Sequence, residues 1–435
     1  MMNESYDVAI VGAGPAGISA ACVLADAGVK VIVFERGEYA GSKNMSGGVL
    51  YGYNLAQILP DFAERGCPVE RNIIESRIWY LSKEAGYSIG YRDSVFTKER
   101  KFNVFTVGRA KFDRWFAEQA RRKGALVVAG TTVVDLLKDA SGKVTGVVTN
   151  RQDGEVQAKI VLLADGVNSP LAVKAGFRPE LKAEHVALAV KETIEIPAET
   201  IEQRFGVSQA DGVTTEVLGE ITGGMDGVSI IYTNKNSISI SVGANLAAFA
   251  KSKMKPYELL EAYKLHPMVA PLIAGGKAIE YTAHWLAEGG YDTIPKLAGD
   301  GYLIAGDSAM LFNALHREGS NLAMASGKMA AEAIIAALKK NDVSKQGLSS
   351  YIQAMNDSFV MKDMNKYRNF PGFLYDTHQL FNELPQMAQF AGREMLTVNG
   401  VTKKQKQKLI MDEIKKKIGL VKLAKILWKG WRSVK

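Results

Sequence analysis

The start of the chain alternates short apolar runs with one longer stretch of helical periodicity. The run from Tyr6 to Val11 predicts a buried strand, a glycine-rich turn follows it, and the small and apolar residues up to about Ala27 predict a helix. A second apolar run, from Val29 to Phe34, predicts another strand. This order is that of a βαβ unit, in which the helix N-terminus faces the turn after the first strand.

The pattern beyond this unit is richer in strands until about residue 293. Residues 125–164 contain short apolar segments separated by the turns ASGK and RQDG, which is typical of a meander. From about Arg178 to Thr293, β-branched and glycine-rich segments such as SISISVGANL predict an antiparallel sheet, and PYELLEAYKLHPMVAPLI predicts a helix after it. We therefore expect an α/β protein with a second, antiparallel sheet.

Composition narrows the class of protein further. With 435 residues, of which 47% are apolar, the chain can form two domains or one large domain with insertions. The N-terminus has acids where a signal peptide has bases, and no twenty predominantly apolar residues run together, so we expect a cytoplasmic protein without a membrane span. The five histidines are scattered, and no metal site is expected.

The net charge of +8 is concentrated at the C-terminal end. Lys403 to Lys435 contain twelve Lys or Arg and two Asp or Glu, so the rest of the chain carries a small net negative charge. A body that binds nucleic acid is therefore not indicated, and no nucleic-acid partner is expected.

The last part of this tail predicts an amphipathic helix. Its apolar face is expected to carry Leu420, Leu423, Ala424, Leu427 and Trp431, and its basic face Lys422, Lys425, Lys429 and Arg432. Such a helix can lie on an anionic membrane surface, or it can pack its apolar face on the body or on a partner subunit. We expect the membrane, which predicts a peripheral protein on the inner face of the cell membrane.

The turn after the first strand carries glycines at the spacing of a dinucleotide-binding fingerprint. Gly12 permits the tight turn, Gly14 lets the main chain approach a pyrophosphate, and Gly17 lets the helix pack closely on the strand. The helix N-terminus offers free N–H groups to the phosphates. Glu35, at the end of the second strand, is placed to bind a ribose diol and argues against NADP. This motif alone leaves FAD and NAD open.

A second motif lies near residue 307. The segment YLIAGDSAMLFNALHREGSNLAMASGKMAAEAI begins as a strand, Tyr302 to Ala305, breaks at Gly306-Asp307, and continues as a small-residue helix from about Ser320. It resembles the second FAD fingerprint of flavoproteins related to aromatic hydroxylases. The resemblance implies that Asp307 holds the ribityl chain and that the helix N-terminus points at the flavin pyrimidine, where it stabilises negative charge. The motif therefore favours FAD over NAD.

Four segments together resemble one branch of that superfamily. GSKNMSGGVLYG (residues 41–52), LLADGVNSPLA, YLIAGDSAM and HREGSNLAMASGKMAAEA are similar to segments of the FixC-type and electron-transfer-flavoprotein:quinone oxidoreductases. The likeness covers about residues 6–340. It implies that the glycine and serine stretch wraps the flavin, because main chain against a planar ring requires small residues. The alternative for that stretch is a linker.

These motifs define one expected cofactor site. No catalytic side chain and no metal ligand is expected, because flavin itself carries the chemistry. The expected cofactor-binding residues are Gly12, Gly14, Pro15, Ala16, Gly17, Glu35, Arg36, Lys43, Asn44, Ser46, Gly47, Gly48, Arg109, Ala164, Asp165, Gly166, Gly306, Asp307, Gly319, Ser320 and Asn321.

The resemblance also implies a domain plan. It predicts a Rossmann-type FAD-binding domain, similar to that of aromatic hydroxylases, with an inserted antiparallel β-sheet domain for a quinone or other substrate and a C-terminal helical tail. The expected boundaries are 1–75, 105–180 and 294–345 for the FAD domain, 76–104 and 181–293 for the substrate domain, and 346–435 for the C-terminal region.

The function implied by the resemblance is electron transfer. Electrons would pass from an electron-transfer flavoprotein, similar to FixAB, through FAD to a quinone, within a larger complex for which electron bifurcation is left open. The family's iron–sulfur cluster takes four thiolates, whereas this chain has only Cys22 and Cys67. A small ferredoxin-like subunit, similar to FixX, is therefore expected as a partner.

Three other functions share these motifs. They are a prenyl-lipid reductase of the geranylgeranyl reductase type, an aromatic hydroxylase that uses NAD(P)H and oxygen, and a flavin-bearing subunit without turnover of its own.

Overall fold

A computed structural model of the chain describes residues 5–43, 48–208 and 210–435. The strands within these ranges are β1 (Tyr6–Val11), β2 (Val31–Phe34), β3 (Val49–Tyr51), β4 (Val69–Leu81), β5 (Gly86–Arg92), β6 (Val104–Val107), β7 (Leu126–Val128), β8 (Val133–Lys138), β9 (Val144–Thr149), β10 (Glu155–Leu163), β11 (Val186–Glu195), β12 (Asp211–Gly219), β13 (Gly227–Thr233), β14 (Ser237–Asn245), β15 (Lys277–Ala287), β16 (Ala298–Gly299) and β17 (Tyr302–Ile304).

The α-helices in the same ranges are α1 (Pro15–Asp26), α2 (Gly52–Ala56), α3 (Val95–Lys98), α4 (Arg109–Arg122), α5 (Pro170–Lys174), α6 (Ala198–Phe205), α7 (Leu246–Ser252), α8 (Pro256–Lys264), α9 (Ala270–Ile273), α10 (Ser320–Lys339), α11 (Ser349–Asp357), α12 (Phe359–Lys366), α13 (Phe370–Asp376), α14 (Glu383–Leu396), α15 (Lys403–Lys417) and α16 (Leu420–Val434).

The chain divides into two compact units. The first comprises the chain up to Val69, Val107–His185 and Trp285–Arg368, and the second comprises Glu70–Thr106, Val186–His284 and Asn369–Lys435. The C-terminal helices from α13 onward thus belong to the second unit, whereas the sequence predicts a separate region over residues 346–435. The assignment of one unit to FAD and the other to a substrate stays a prediction.

The first unit is built on a mainly parallel sheet in the order β16-β17-β10-β1-β2-β7. β1 lies between β10 and β2 and is parallel to both, and β17 is parallel to β10. β2 and the last four residues of β10 are buried and apolar, and β1 is buried except at Asp7, as expected for a parallel sheet covered by helices on both faces. The carboxyl ends of β1, β10 and β17 therefore lie side by side at one edge of the sheet.

The predicted βαβ opening is present with one shifted boundary. β1 and α1 match the prediction, but β2 begins at Val31 and not at Val29. Gly28 has a left-handed φ of +74°, and the Val29 N–H donates to the carbonyl of Leu24 in α1. Val29 therefore belongs to the exit of the helix, which ends with a glycine C-cap.

The second unit contains a sheet in the order β15-β11-β14-β13-β12-β4-β6, with β5 beside β4. Most neighbours are antiparallel, as predicted, but β12 and β4 run parallel. Their separation in the chain is large enough for a crossover, so no hairpin constrains their direction. One face of this sheet packs its apolar side chains, including Trp79, Val217 and Ile240, into a core shared with the helices that carry Phe205 and Leu260.

The C-terminal helices are tied to this sheet by hydrogen bonds. The hydroxyl of Tyr80 on β4 donates to the carbonyl of Leu380 (2.7 Å), and that of Tyr87 on β5 donates to the carbonyl of Ala388 in α14 (3.1 Å). The ammonium of Lys406, which is 2% exposed, donates to the carbonyl of Glu394 at the end of α14 (2.8 Å). Such a cation stabilises a helix C-terminus. No helix in the described ranges combines the length and hydropathy needed to cross a bilayer.

Candidate cofactor site

The turn between β1 and α1 has the geometry that its glycines predict. Gly12 adopts φ +105°, and a Cβ there would overlap the carbonyl of Ala164 at the end of β10. A Cβ on Gly17 would overlap the carbonyl of Gly12. At Gly14, by contrast, no described protein atom lies within 4 Å of the Cβ position. The main chain at Gly14 therefore faces open space beside the N-terminus of α1, which is a place where a pyrophosphate can bind.

Glu35 follows β2 and binds main chain of its own unit. Its Oε2 accepts the N–H of Ala13 in the glycine turn (3.1 Å), and its Oε1 accepts the N–H of Gly37 (2.7 Å). A carboxylate offers about four acceptor positions, so both oxygens can still accept from a diol. The sequence motif predicts a ribose contact for Glu35, but it does not predict these two hydrogen bonds, which fix the glycine turn relative to β2. Arg36 beside it is exposed.

Replacing Glu35 with Ala is expected to weaken FAD retention by about 10-fold to 100-fold. The change removes hydrogen bonds to a charged acceptor, each contributing about 1.5–3 kcal/mol, and it also frees the glycine turn. The measurement is the dissociation constant of FAD for protein from which the flavin has been stripped, followed by flavin fluorescence.

Glu38→Ala is the matched control, because Glu38 lies three residues away and is exposed. FAD affinity that is equal in the Glu35→Ala and Glu38→Ala proteins would contradict the ribose assignment.

The loop after β10 carries Asp165 in a buried network. Its Oδ1 accepts the hydroxyls of Ser169 (2.6 Å) and Ser308 (2.9 Å), while its Oδ2 is buried with no hydrogen-bond partner among the described residues. Burial raises the pKa of Asp165, and the two serine hydroxyls oppose that effect. A buried carboxylate oxygen without a partner is costly unless a ligand satisfies it. Gly166 follows with a φ of +81°.

The loop after β17 carries Asp307. Gly306 adopts φ +64°, and its N–H donates to the hydroxyl of Ser326 in α10 (3.0 Å). Burial raises the pKa of Asp307 to about 6, and the positive charge of Arg109 lowers it in part. Asp307 is thus a largely buried carboxylate that a hydroxyl-bearing ligand would stabilise in its charged form.

Arg109, the first residue of α4, reaches the start of α10. Its Nε and Nη2 donate to the two oxygens of Asp113 (2.9 and 3.0 Å), and its Nη1 donates to the hydroxyl of Ser320 (3.4 Å). The i,i+4 pair with Asp113 is bidentate and buried, so the guanidinium is held in one orientation. Asp113 thus fixes the Arg109 guanidinium where its positive charge acts on Asp307, near the N-terminus of α10.

Helix α10 begins at Ser320, as predicted, and packs on α1. A Cβ on Gly327 would overlap the carbonyl of Ala16, so the two helices are in direct main-chain contact there. Asn321 is 5% exposed, and its Oδ1 has no hydrogen-bond partner among the described residues. The free N–H groups at the N-terminus of α10 and the side-chain amide of Asn321 are available to a bound group.

The first unit therefore brings most of the expected residues together. Gly12 contacts Ala164, Ala16 lies beside Gly306 and Gly327, and Asp165 binds Ser308 next to Asp307. The glycine and serine stretch is only partly described. Lys43 is exposed, the carbonyl of Gly48 accepts the N–H of Val107 (2.7 Å), and the expected site residues Asn44, Ser46 and Gly47 lie outside the described residues.

Several functional groups in this region were not predicted. Arg178, Ser308, Ser169 and Ser326 form the hydrogen bonds that hold the loops. Ser169, Ser308 and Ser326 lie inside the quoted motifs, which is the only signal that could have identified them. Arg178 lies outside the motifs, and nothing in its sequence context marks it.

Two further charged groups lie on the approach to α10. Burial raises the pKa of Glu288, and the positive charge of Arg317 lowers it in part. Arg317 itself has a left-handed φ of +56°, which costs a non-glycine residue about 1–3 kcal/mol. The segment just before Gly319 is therefore held in a strained conformation beside a buried carboxyl group.

Known proteins resemble this chain over nearly its whole length. It is 46% identical over 439 residues to "Protein FixC" of Azotobacter vinelandii, covering all of both chains, and 45% identical over 410 residues to "Protein FixC" of Azorhizobium caulinodans, covering 94% of each. It is 40% identical to the protein of the same name from Escherichia coli (strain K12), covering 99% of each. A sequence profile described as "ETF-QO/FixC family C-terminal domain" matches residues 370–435, and one described as "FAD dependent oxidoreductase" matches residues 7–220.

The chain belongs to the ETF-QO/FixC family. Membership confirms the predicted resemblance and the FAD cofactor, and it makes the protein an FAD-dependent oxidoreductase. Its redox chemistry comes from the flavin, because a flavin can accept a hydride or two electrons and release electrons singly.

Solved structures support the fold predicted for this family member. A geranylgeranyl bacteriochlorophyll reductase-like protein from Thermoplasma acidophilum matches with a TM-score of 0.72 at 21% identity, covering 96% of this chain and 98% of that one. The flavin-dependent brominase Bmp2 matches with a TM-score of 0.66 at 16% identity, covering 95% and 100%. At these identities the likeness concerns the fold alone, and it confirms the predicted FAD-binding α/β class.

The residues of the first unit fit FAD. Gly14 leaves room at the N-terminus of α1, Asp165 and Asn321 hold buried acceptors that no described residue satisfies, and Asp307 is a largely buried carboxylate. In the predicted arrangement the glycine turn holds the pyrophosphate, Glu35 the adenosine ribose and Asp307 the ribityl chain.

Proposed function

We propose that this FAD-dependent oxidoreductase passes electrons from an electron-transfer flavoprotein to a quinone. The observation that carries the proposal is the identity of 40–46% to FixC proteins over almost the entire chain, together with the ETF-QO/FixC match at residues 370–435. The match at the C-terminal end extends the resemblance beyond the FAD fingerprints, which many unrelated flavoproteins share.

The electrostatics of the first unit support this role. The N-terminus of α10 and the Arg109 guanidinium place positive charge near Asp307, and such charge stabilises an electron-rich reduced flavin. In the proposed site, Arg109 and Asp113 hold that charge in place, Asp307 orients the ribityl chain, and the glycine turn binds the phosphates.

The decisive experiment is an anaerobic reduction assay on the FAD-loaded protein. Reduced electron-transfer flavoprotein from the same host is expected to bleach the flavin, and a short-chain quinone is expected to restore the oxidised spectrum. NADH and NADPH alone are expected to leave the flavin oxidised.

The other outcomes each identify a rival. Bleaching by NAD(P)H alone would favour an aromatic hydroxylase. Reduction of an isoprenoid chain would favour a prenyl-lipid reductase, and a flavin that neither donor reduces would indicate a subunit without turnover.

We propose further that a separate ferredoxin-like subunit carries the iron–sulfur cluster of the system. A cluster with four thiolates cannot form on two cysteines, and none follows Cys67 in this chain. Burial raises the pKa of both Cys22 and Cys67 to about 12, so both thiols stay protonated near neutral pH. In the described ranges, no group of three or more His, Cys, Asp or Glu is placed to hold a metal ion.

The purified single chain is therefore expected to contain FAD but no stoichiometric iron or sulfide. Affinity purification from the native host is expected to recover a small iron-containing protein together with electron-transfer flavoprotein subunits. Iron and acid-labile sulfide in the isolated chain, at four atoms each per FAD, would overturn the assignment. Purification of the intact assembly also tests whether the proposed complex bifurcates electrons.

We also propose that the protein works at the inner face of the cell membrane as a peripheral protein. The support comes from α16, on which the exposed side chains include Leu427 (66% exposed), Trp428 (62%) and Trp431 (60%) beside a row of lysines. A surface that combines apolar and basic side chains can lie in the headgroup region, which would bring the flavoprotein to a lipid-soluble quinone.

A further inference from the structure

Arg178 is buried between two loops of the cofactor site. It is 3% exposed and lies just after α5, outside every motif of the sequence. Its Nη2 donates to the carbonyls of Val167 (2.7 Å) and Asn168 (2.9 Å), in the loop after β10. Its Nη1 donates to the carbonyl of Ser308 (3.1 Å), in the loop after β17.

One planar guanidinium thus connects the loop that carries Asp165 with the loop that carries Asp307. Ser308 makes a second connection, because its hydroxyl donates to Oδ1 of Asp165 (2.9 Å) and its carbonyl accepts from Arg178. Nη1 of Arg178 also contacts the Sδ of Met310 (3.8 Å), two residues further along the loop after β17.

The main chain before Arg178 is anchored to the strand that leads to Asp307. The ring of Phe177 stacks on that of Tyr302 in β17, with centroids 3.7 Å apart and planes 5° from parallel. The N–H groups of Phe177 and Arg178 both donate to the carbonyl of Ala172 in α5 (2.8 and 3.1 Å). The main chain at Arg178 is therefore held in place, and the reach of its side chain sets the distance between the two loops.

We propose that Arg178 is a positioning residue of the FAD site, which holds the Asp165 loop and the Asp307 loop at the separation that one flavin requires. Burying a guanidinium away from water costs free energy unless hydrogen-bond partners compensate its charge. Main-chain carbonyls supply partners for Nη1 and Nη2 without using the aspartate oxygens that a ligand could reach, whereas Nε is buried with no hydrogen-bond partner among the described residues. This inference concerns the FAD site and does not depend on the electron donor or acceptor.

A lysine cannot replace this geometry. Arg presents its donors in a rigid fork that reaches two loops at once, whereas a lysine ammonium is a single point on a flexible stem. Arg178→Lys keeps the positive charge and loses the bridging shape, and Arg178→Met loses both.

The test measures FAD binding and flavin properties of the full-length protein. Arg178→Met is expected to raise the dissociation constant of FAD by about 10-fold to 100-fold, and Arg178→Lys to recover part of that loss. At saturating FAD, both variants are expected to shift the midpoint potential and the visible spectrum of the bound flavin, because Asp307 is displaced relative to Asp165. Ser308→Ala removes the second connection, the hydroxyl bond to Asp165, and keeps the carbonyl that Arg178 binds, so it is expected to add a further loss of FAD affinity to that of Arg178→Met.

The control is Arg151, which lies in the same unit and donates to the carbonyl of Gly130 (2.7 Å) but joins neither loop. Arg151→Met is expected to leave FAD affinity and potential unchanged. If Arg178→Met does not fold, Arg178→Lys decides alone. The proposal is overturned if the Arg178 variants lower thermal stability of the FAD-free protein while FAD affinity, spectrum and potential stay within error of the native values.

Discussion

Replacing Asp307 with Asn is expected to stabilise the FAD-free protein at neutral pH while weakening its affinity for FAD. Burial raises the pKa of Asp307 from 3.8 to about 6, which means that the folded state resists ionising this group. The difference corresponds to about 3 kcal/mol of unfolding free energy that the native protein loses when Asp307 ionises. Asparagine is uncharged at every pH and does not incur this loss.

The sign of the pH dependence follows from the same shift. Between about pH 4 and about pH 6, the folded state holds a proton on Asp307 that the unfolded state releases, so stability falls as pH rises. The native and Asp307→Asn proteins should therefore have unfolding free energies that diverge across this window. The unfolding free energy of Asp307→Asn, relative to that of the native protein, should therefore be about 3 kcal/mol higher at about pH 7 than at about pH 4.

Urea unfolding of the two flavin-free proteins across this pH range is the measurement. Asp376→Asn is the control, because it makes the same substitution at an exposed aspartate of the second unit. A gap between the native and Asp307→Asn proteins that is the same at all pH values would show that Asp307 is not a buried charge. The accompanying loss of FAD affinity would tie this unfavourable carboxylate to ligand binding rather than to folding.

Sequence patterns were sufficient where local chemistry decides the structure. The boundaries of β1 and the start of α10 at Ser320 were predicted because apolar runs and glycine-bearing turns mark them directly. The close approach at Gly17 was also predictable, since a side chain there would meet main chain in any βαβ turn of this kind.

The patterns were insufficient where burial depends on a distant partner. Arg178 acquires its role from carbonyls that a different part of the chain supplies, and Glu35 binds the glycine turn, a contact that its predicted role at the ribose does not include. Intrinsic propensity alone makes Gly430 unfavourable within the final helix. In the structure it lies 3.1 Å, measured from an ideal Cβ, from the ring of Phe373 in α13, so it permits close helix packing.

The same limit applies to the orientation of α16. The sequence suggested two faces, apolar and basic, but the helix has three. Ile426 (7% exposed) and Ser433 (3%) mark a narrow face that is buried, and this face includes Gly430 at its contact with α13. The predicted apolar face, represented by Leu420 and Leu427, remains largely exposed beside the lysines. Packing of α16 on its own unit therefore buries only this narrow face, and the predicted apolar face and the basic face both stay largely exposed.

Binding to anionic vesicles is expected to depend on these two exposed surfaces. Replacing Lys422, Lys425 and Lys429 with Glu should reduce partitioning at least 100-fold at low salt, because each base near the membrane surface contributes about 1 kcal/mol. Replacing Leu427, Trp428 and Trp431 with Ser should reduce binding at low and high salt alike, since apolar burial is not screened by ions. Both sets leave Ile426 and the contact with α13 intact.

Point substitutions test this surface more sharply than removal of Lys415–Lys435, because the deletion would also uncover the groups against which Ile418 and Ile426 are buried. The matched control replaces the exposed Lys182, Lys277 and Lys340 with Glu, which changes the net charge equally but lies outside α16. Co-sedimentation with phosphatidylserine-containing and neutral vesicles should then separate the sets. If the intact protein does not sediment with either vesicle, and the α16 variants instead lose a co-purifying subunit, the exposed faces of this helix bind a partner protein and the membrane assignment is wrong.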